Sequence, residues 1–513
     1  MSGTRQPLKA SDWYYMAEGG SRVVMCYRGS DPALVGKVLR VRKCAKDRSR
    51  ENVITSDNFD HHDLTDKDLW AKFFSLEQRD QDEIVQVFSS TLLQPLLSGN
   101  QTDTAILIRV NASFLTQVAE NIASMRPATR REASDVDLKA RCAVLAQNHR
   151  DVATGSSLAS APFISLEIKP KCGFVDQMNR VDVARFQMHQ SLKLADGRVL
   201  QTSNYDPLDL FHGRKKKNGT GSCSWMRTAG QGAVNHALHR RAMIALIHEP
   251  QNNFFVVTPN YHKSRLTNLS TEDSQYPEKS IAASSREGMY EGIHEKGAKP
   301  NSLGNVGIWQ LARTFGNALF GEKENMLHRS ENIVNTFIDL TIMALRCAGV
   351  FSRIRAAQRL DRIGIEGAIR LAARVRPSKR TVPSVKNTRT FLKGTQSCTS
   401  NFYTGECAHR LLRNFVISTT VKDCSIILSI NRLNTVASDV PAKLGHDGSI
   451  VLVKTPFFRL QRRAEKVTTD EHMVFLCRTA IVDQDMKSIS KLRQWLALDR
   501  KIRGQHATNG LLR

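Results

Sequence analysis

Apolar positions in the N-terminal part of the chain recur at strand spacing twice and at helix spacing once. Residues 21–27 and 37–43 are typical of two β-strands joined by a turn. Residues 80–94 contain an apolar stripe at helical spacing, which predicts an amphipathic helix that ends at Pro95. The pattern becomes polar at residues 146–149, which we interpret as a hinge.

The remainder of the chain is longer, and polar insertions interrupt its pattern. Helical spacing resumes at residues 306–373, and residues 414–503 alternate strands before a closing helix. We predict an N-terminal domain of residues 1–147 and a C-terminal domain of residues 148–513. The three polar or basic inserts of the C-terminal domain are residues 213–232, 260–305 and 374–400.

The composition indicates an anionic partner. The 513 residues include 74 Lys and Arg against 49 Asp and Glu, which gives a formal net charge of +25. Such a charge favours nucleic acid, an acidic membrane surface or a heavily phosphorylated small molecule as the partner. The hydrophobic content of 41% is enough for a sizeable core, which excludes a wholly disordered chain.

Membrane insertion and secretion are not expected. No run of about 18 apolar residues is present, and the first residues contain no apolar signal-peptide segment. The ten cysteines are scattered without the spacing of a disulfide framework, which is typical of reduced thiols. We therefore expect a protein of the cytoplasm, the nucleus or both.

The sharpest motif is the string EIKPKCGF at residues 167–174. Extended geometry, which Pro170 favours for the residue before it, places Glu167, Lys169 and Lys171 on one face of a strand. Two ammonium groups about 7 Å apart along a strand suit a ligand with several phosphates. A charged outer face of a strand is the alternative interpretation.

Two weaker patterns are also typical of a site that binds phosphate groups. The Gly19–Gly20 pair precedes a strand, where backbone N–H groups can approach phosphate oxygens, and Arg40 on the next strand could reach the same phosphates. Arg185, His189 and Lys193 recur at i, i+4 and i+8, which lines them along one helical face. A plain turn, a solvated strand edge and a solvated helix face are the respective alternatives.

Two aspartates lie beside apolar strand patterns. Asp423 precedes the run at residues 426–428, and Asp483 follows the run at residues 480–482. If the fold brings them together, they could bind a Mg²⁺ ion that bridges ATP phosphates; two unrelated aspartates at strand ends are the alternative. A second row at helical spacing follows, comprising Lys487, Lys491 and Trp495.

Together, a glycine turn, a pair of carboxylates and rows of cations suit a site for ATP and a polyanion. At these positions the chain resembles the inositol-pentakisphosphate 2-kinase family. The strings EIKPKCGF at residues 167–174 and YDPLDLF at residues 205–211 are highly specific to it, whereas the glycine turn is not. Further similar blocks follow the family's order at residues 10–13, 18–20, 36–40, 188–190, 250–253, 365–368 and 422–426.

The resemblance implies an α+β, two-lobed, protein-kinase-like fold, with a small β-rich N-terminal lobe that binds nucleotide and a larger C-terminal α/β lobe with loop insertions. It also implies an enzyme that uses ATP and Mg²⁺ to phosphorylate the 2-hydroxyl of inositol 1,3,4,5,6-pentakisphosphate, giving inositol hexakisphosphate (phytate). Asp423 and Asp483 would hold Mg²⁺. Asp423 and Lys169 would be catalytic, with Asp423 accepting the proton of the 2-hydroxyl.

The resemblance assigns two sets of binding residues. Besides the two aspartates, the nucleotide would contact Gly19, Gly20, Arg40, Gln147, Asn148 and His149. The inositol phosphate would contact Arg130, Lys169, Lys171, Arg185, His189, Lys193, Asn252, Asn253, Lys487, Lys491 and Trp495. Within the second set, Arg185 and His189 would support the floor of the site.

The sequence departs from the family pattern at four positions. Ala45 and Phe255 stand where arginines are expected, and Lys491 and Trp495 replace the Arg and Tyr of plant members. Lysine lacks the bidentate geometry of arginine, and tryptophan lacks a phenol hydroxyl. We therefore expect a lower substrate affinity with the reaction class unchanged.

Plant members of the family also bind a structural zinc ion through cysteine and histidine. The candidates in this chain are Cys398, Cys407 and His409, but their spacing is irregular and no Cys-x-x-Cys is present. Three unrelated loop residues are the preferred interpretation.

Two other functions stay open, a basic nucleic-acid-binding protein and a catalytically weak inositol-polyphosphate receptor. The chain has no zinc-finger spacing and no RNP motif, which argues against the first. The presence of both Asp423 and Asp483 argues against the second. We expect a monomer that binds ATP and inositol pentakisphosphate, with nucleic acid as a secondary candidate partner.

Overall fold

The computed structural model describes residues 8–46, 64–71, 73–74, 81–98, 105–149, 163–175, 183–211, 229–248, 254–257, 330–375, 405–433, 450–455 and 473–511. Over these residues the fold is mixed α+β, with antiparallel sheets and helices. The predicted fold class is confirmed at that level.

The first sheet is antiparallel and contains β1 (Trp13–Glu18), β2 (Arg22–Tyr27), β3 (Lys37–Ala45), β4 (Ile106–Arg109), β5 (Ser134–Val136) and β6 (Cys142–Gln147). Its order is β1-β2-β3-β6-β4, and β5 pairs with the C-terminal end of β3. The two strands predicted at residues 21–27 and 37–43 are confirmed as β2 and β3.

The second sheet is also antiparallel and contains β7 (Phe163–Ile168), β8 (Phe254–Val257), β9 (Ser425–Leu433), β10 (Ile450–Thr455) and β11 (Met473–Val482). Its order is β10-β11-β9-β7-β8. The central strand β9 therefore pairs with β11 on one side and with β7 on the other.

The helices that precede β7 are α1 (Asp66–Trp70), α2 (Gln81–Val87), α3 (Gln94–Ser98), α4 (Ala112–Ile122) and α5 (Ala128–Ala133). The later helices are α6 (Arg185–Ala195), α7 (Pro207–Leu210), α8 (Ala229–His248), α9 (Ser330–Cys347), α10 (Val350–Gln358), α11 (Gly364–Arg374), α12 (Gly405–Val421) and α13 (Leu492–Leu511). Among the described residues, no helix is by itself long and apolar enough to cross a membrane; α9 and α10 meet that test only as a pair bent by 61°.

Period-two alternation gives the first sheet two different faces. Met25, Leu39 and Val41 are fully buried in a cluster that includes the apolar side of α4. Arg22 and Arg40 belong to the same strands but point to the opposite face. The sheet therefore has an apolar side that packs on α4 and a cationic side.

A larger buried cluster joins the second sheet to α9, α10 and α12. Several described residues that precede residue 147 also contribute to this cluster, among them Leu69, Phe88 and Leu97. The division into domains at residue 147 stays a prediction.

The helix predicted over residues 80–94 is longer than expected, and the predicted end at Pro95 is wrong. α2 continues through a π-helical turn (Phe88–Leu93) into α3, so Pro95 lies in the first turn of α3. Proline is tolerated in a first turn, and the wider hydrogen bonding of the π turn before it removes the usual conflict with the i−4 carbonyl.

Residues 147–149, at the position predicted for a hinge, form hydrogen bonds to both sheets. Gln147 Oε1 accepts a hydrogen bond from Lys37 Nζ at 2.9 Å, and the N–H of Asn148 donates to the carbonyl of Gly36 at 2.8 Å. The carbonyl of His149 accepts from Ser429 Oγ of β9 at 2.9 Å. This short segment thus bonds to the first sheet at one end and to the second at the other.

Candidate functional site

The string EIKPKCGF continues beyond β7 as a loop, and we call residues 169–173 the lysine loop. β7 ends at Ile168. Lys171 has a φ of 62°, in the left-handed region that residues other than glycine seldom adopt. The prediction that Lys171 shares one strand face with Glu167 and Lys169 is therefore wrong, because the backbone leaves strand geometry before it.

The backbone of the lysine loop is fixed from two sides. Tyr205 Oη donates to the carbonyl of Pro170 at 2.8 Å. Gln358 Nε2 donates to the carbonyl of Lys171, and Gln358 Oε1 accepts from the N–H of Gly173, both at 2.8 Å. Gln358 is fully buried, so water does not compete for these bonds. The three bonds offset the cost of the left-handed backbone at Lys171.

The strings at residues 167–174 and 205–211 contact each other. A Cβ atom on Gly173 would lie 2.3 Å from ring carbons of Phe211, so only glycine allows this approach. Tyr205, in the same string as Phe211, bonds to the lysine loop. One string therefore presents the lysines, and the other supports their backbone.

Asp423 and Asp483 lie at the same edge of the second sheet. Asp423 lies in the turn between α12 and β9, and Asp483 follows β11, whose Val482 pairs with Ser425 of β9. Ser425 Oγ lies 2.9 Å from Asp483 Oδ2 and 3.1 Å from Glu167 Oε1. The register of β9 against β11 thus brings the two aspartates together, as the metal-site hypothesis requires.

Each aspartate is paired with a lysine of the lysine loop. Lys171 Nζ lies 3.7 Å from Asp423 Oδ1, and Lys169 Nζ lies 3.7 Å from Asp483 Oδ2. Lys487 Nζ lies 2.5 Å from Asp423 Oδ2. We call these five side chains the charged centre.

Arginines of the first sheet reach the charged centre. Arg40 Nη2 lies 2.9 Å from Asp485 Oδ2 and 3.7 Å from Asp483 Oδ1, and Arg22 Nε lies 3.3 Å from Asp485 Oδ2. Desolvation alone would raise the pKa of Asp485, but the two guanidinium groups lower it. Arg22 and Asp485 were not among the predicted site residues. The strand spacing of Arg22 and the position of Asp485 two residues after Asp483 are the signals that point to them.

The charged centre contains more positive than negative charge. Desolvation lowers the pKa of Lys171; Asp423 opposes this, while Lys169 and Lys193 add to it. Desolvation raises the pKa of Asp423, but Lys487 and Lys171 outweigh it, so the pKa of Asp423 is lowered. Asp423 is therefore ionised at neutral pH and faces several ammonium groups.

The predicted cationic row at residues 185–193 is confirmed as part of α6, but its members have different partners. Arg185 Nε pairs with Asp499 Oδ1 of α13 at 3.0 Å, and Arg503 Nε pairs with Asp499 Oδ2 at 2.6 Å. Arg185 therefore connects α6 to α13. His189 is half-buried, and burial followed by the charges of Lys193 and Arg185 lowers its pKa to about 4.

The Gly19–Gly20 pair forms the turn between β1 and β2, where the N–H of Gly19 donates to the carbonyl of Arg22 at 2.9 Å. A Cβ atom on either glycine would meet no atom within 4 Å. Among the described residues, no neighbouring group therefore requires glycine at these positions.

The other predicted substrate residues lie outside the charged centre. Arg130 is exposed on α5, and Lys491 is exposed at the end of the 3₁₀ turn before α13. Trp495 is half-buried and packs against Phe415, with ring centroids 6.3 Å apart. Two further predicted residues lie outside the described part of the chain, Asn252 and Asn253.

Within the described ranges, no group of three or more His, Cys, Asp or Glu side chains is arranged to hold a metal ion. Mg²⁺ needs fewer protein ligands, since one or two carboxylates with phosphates and water are usually sufficient. The carboxylates of Asp423 and Asp483 fit that donor set. Of the zinc candidates, Cys407 and His409 are buried in α12, so the interpretation of these two as loop residues is wrong; Cys398 lies outside the described residues.

A family model described as inositol-pentakisphosphate 2-kinase matches residues 15–501 of the chain. The chain belongs to the inositol-pentakisphosphate 2-kinase family. An inositol-pentakisphosphate 2-kinase of Oryza sativa is 27% identical over 514 residues, which cover 98% of this chain and 94% of the relative. The Arabidopsis thaliana enzyme of that name is 27% identical over 511 residues, covering 96% and 92%. A Danio rerio relative is 27% identical over 213 residues, covering 40% and 39%.

Membership in the inositol-pentakisphosphate 2-kinase family confirms the resemblance drawn from the strings at residues 167–174 and 205–211. It also confirms the predicted function and enzyme class, a kinase that acts on inositol pentakisphosphate. The roles of individual residues stay predictions.

Replacing Gln358 with methionine tests the support of the lysine loop in this 2-kinase. The variant leaves the N–H of Gly173 and the carbonyl of Lys171 unpaired, at a cost of about 1–3 kcal/mol each. We expect a lower free energy of unfolding in urea and weaker calorimetric binding of inositol pentakisphosphate. Gln190→Met is the matched control, because Gln190 is also buried but its amide atoms have no hydrogen-bond partner among the described residues. Equal losses of stability in the two variants would show that Gln358 does not support the lysine loop.

The lowered pKa of His189 predicts proton uptake when the 2-kinase binds a polyanion. Phosphates would offset the charges of Lys193, Arg185 and Arg198 that help to keep the imidazole neutral, so its pKa rises in the complex. At a pH between the His189 pKa of about 4 in the free protein and its higher pKa in the complex, the complex holds more protons than the free protein. Affinity therefore rises as the pH falls through that window.

Calorimetry with inositol pentakisphosphate near pH 6, in two buffers of different ionisation enthalpy, measures this uptake. The His189→Gln variant keeps the size of the side chain but cannot titrate. On binding, this variant is expected to take up fewer protons than the wild type, and the difference is at most one proton per protein. Identical proton uptake by the two proteins would show that His189 does not titrate on binding.

Proposed function

We propose that the chain transfers the γ-phosphoryl group of Mg·ATP to the 2-hydroxyl of inositol 1,3,4,5,6-pentakisphosphate, giving inositol hexakisphosphate. The charged centre is the observation that supports this reaction: two aspartates at one sheet edge, each within 3.7 Å of a lysine, with Arg40 close to them from the first sheet. Carboxylates suit a metal ion and cations suit phosphate oxygens, which are the two requirements of phosphoryl transfer.

Asp423 and Asp483 are the residues that would hold Mg²⁺. Ionised carboxylate oxygens are the protein ligands that this ion prefers, and phosphate and water oxygens complete its shell. When bound, the ion neutralises charge on the transferring phosphoryl group. The lysines of the charged centre supply charge-assisted hydrogen bonds to the remaining phosphate oxygens.

Asp423 is our candidate acceptor for the proton of the 2-hydroxyl. Desolvation raises the pKa of Asp423, but Lys487 and Lys171 together lower it by more, so the carboxylate is ionised but weakly basic. A weak base is sufficient, because the loose transition state of phosphoryl transfer depends on positioning and charge neutralisation. Lys169, 3.7 Å from Asp483, would stabilise charge on the transferring group.

The inositol phosphates would lie against Lys171, Lys193 and Lys487, with Arg130 and Lys491 at the periphery. Ammonium groups that repel one another are stabilised when a polyanion lies among them. Arg185 would support this floor indirectly, through its ion pair with Asp499 of α13. The absence of a bidentate donor at position 491 supports a lower affinity than an arginine there would give.

The proposal includes the two-lobed arrangement of a protein kinase, with residues 1–147 as the N-terminal lobe, residues 148–513 as the C-terminal lobe and nucleotide between them. Two separate hydrophobic clusters support two lobes, although Leu69, Phe88 and Leu97 pack with the C-terminal cluster and so lie on the other side of this boundary. The hydrogen bonds of residues 147–149 to both sheets support a hinge there. We further propose a monomer of the cytoplasm or nucleus.

The direct test is to incubate the protein with inositol pentakisphosphate and Mg·ATP and to separate the products by ion chromatography. Asp423→Asn removes the proton acceptor and should lower kcat by about 10²–10⁴-fold. Asp483→Asn removes a metal ligand and should lower kcat at least as much. Asparagine is chosen because it tolerates the φ of 59° at position 483.

Asp339→Asn is the matched control for these variants. The Asp339 side chain is 43% exposed against 42% for Asp483, and it pairs with Arg240 between α8 and α9. This variant is expected to keep full activity. Tight binding of the pentakisphosphate without turnover would indicate a receptor instead. The absence of both binding and turnover would refute the proposed function.

A further inference from the structure

Three buried charges meet where β1, β3 and the segment before α5 come together, and we call them the ionic triad. Lys43 Nζ donates to Glu18 Oε2 at 2.7 Å. Arg126 donates through Nε to Glu18 Oε1 at 3.2 Å and through Nη2 to Glu18 Oε2 at 3.0 Å. The side chains of Glu18, Lys43 and Arg126 are 0%, 2% and 5% exposed.

The stability of the fold does not explain why one carboxylate has two cations. Removing charges from water is costly, and apolar residues of similar volume often replace a buried ionic cluster without loss of stability. Desolvation alone would raise the pKa of Glu18, but hydrogen bonds from Arg126 and Lys43 lower it, so Glu18 stays ionised. Since one cation is enough to pair it, the second cation indicates a further role.

The two cations differ in their other contacts. Arg126 Nη2 also donates to the carbonyl of Ser134 at 2.9 Å and to the carbonyl of Arg130 at 3.4 Å. Ser134 Oγ donates to the same Arg130 carbonyl at 3.3 Å. Among the described residues, the Lys43 ammonium group bonds to Glu18 and not to α5. Arg126 therefore connects the buried carboxylate to Arg130 of α5 and to Ser134, the residue that follows α5, and Lys43 does not.

We propose that Arg126 is a positioning residue for inositol pentakisphosphate: anchored by Glu18, it fixes the backbone of Arg130 so that the exposed Arg130 guanidinium meets a substrate phosphate. The inference rests on the proposed function, since it requires Arg130 to contact the substrate. α5 has six residues, and so short a helix has little stability of its own. Its backbone therefore depends on bonds such as those from Arg126.

The ionic triad also borders the turn proposed for nucleotide. Glu18 is the last residue of β1 and directly precedes Gly19. The backbone N–H of Lys43 donates to the carbonyl of Ser21, on the other side of the Gly19–Gly20 pair, at 2.9 Å. Glu18 and Lys43, two members of the ionic triad, thus lie on either side of the turn proposed for nucleotide.

Arg126→Met and Lys43→Met form a matched pair that tests the inference. Each variant removes one cation and leaves Glu18 with the other, but only Arg126→Met removes the bonds to the carbonyls of Arg130 in α5 and Ser134 at the start of β5. We expect Arg126→Met to raise the KM for inositol pentakisphosphate by about 10–100-fold, since a small displacement of a positioned group has effects of that order. Its KM for ATP should stay near that of Lys43→Met, and the Kd for the pentakisphosphate without ATP should rise in parallel with its KM.

Arg126→Lys is the second variant, in case the methionine variant does not fold. It keeps the charge beside Glu18, but its single amine cannot reach the carbonyls of Arg130 and Ser134 as well, so the same rise in KM is expected. Thermal midpoints of all variants separate folding from binding. Equal effects on the KM in Arg126→Met and Lys43→Met would overturn the inference and assign the ionic triad to the fold alone.

Arg130→Ala distinguishes failure of the inference from failure of the proposed function. A wild type that makes inositol hexakisphosphate, with an unchanged KM in Arg130→Ala, would overturn the role of Arg126 and leave the proposed reaction standing. A wild type without turnover or binding would overturn both. A raised KM in Arg130→Ala and Arg126→Met, with a normal KM in Lys43→Met, would support the inference.

Discussion

Repulsion among cations is the constraint on which the site depends. Lys169, Lys171 and Lys487 converge on one edge of the second sheet, and like charges so close together destabilise a fold unless carboxylates lie among them. Asp423 and Asp483 supply those carboxylates, because the register of β9 against β11 brings both to the same edge. The arrangement that neutralises the lysines is thus also the arrangement that an ATP-dependent kinase needs.

Two kinds of interaction hold the lysine loop, and each suits a different requirement. Neutral buried hydrogen bonds from Gln358 and Tyr205 fix the backbone, and a ligand's charge does not compete for them. Ion pairs at 3.7 Å hold the ammonium groups of Lys169 and Lys171, and phosphate oxygens can replace such partners. The backbone is therefore preorganised, while the charged groups can exchange partners.

The sequence predicts the parts of the site that are local or periodic. The lysine string, the strand with Arg40 and the helix with His189 follow from short patterns, and the family resemblance locates both aspartates. Gln358 could not be predicted, because it lies 187 residues from Lys171 and its role follows from a tertiary contact. The φ of 62° at Lys171 depends on that contact, so strand spacing misplaced this lysine.

The departures near the end of the chain follow the same division between packing and charge. Trp495, where plant members have tyrosine, packs its ring against Phe415 and so joins α13 to α12. Lys487 is fixed twice, since its N–H donates to Thr420 Oγ1 at 3.1 Å and its ammonium group bonds to Asp423. We infer that recognition on this side depends on Lys487 more than on the exposed Lys491. On the proposed mechanism, the change from arginine to lysine at position 491 would weaken binding without disturbing the charged centre.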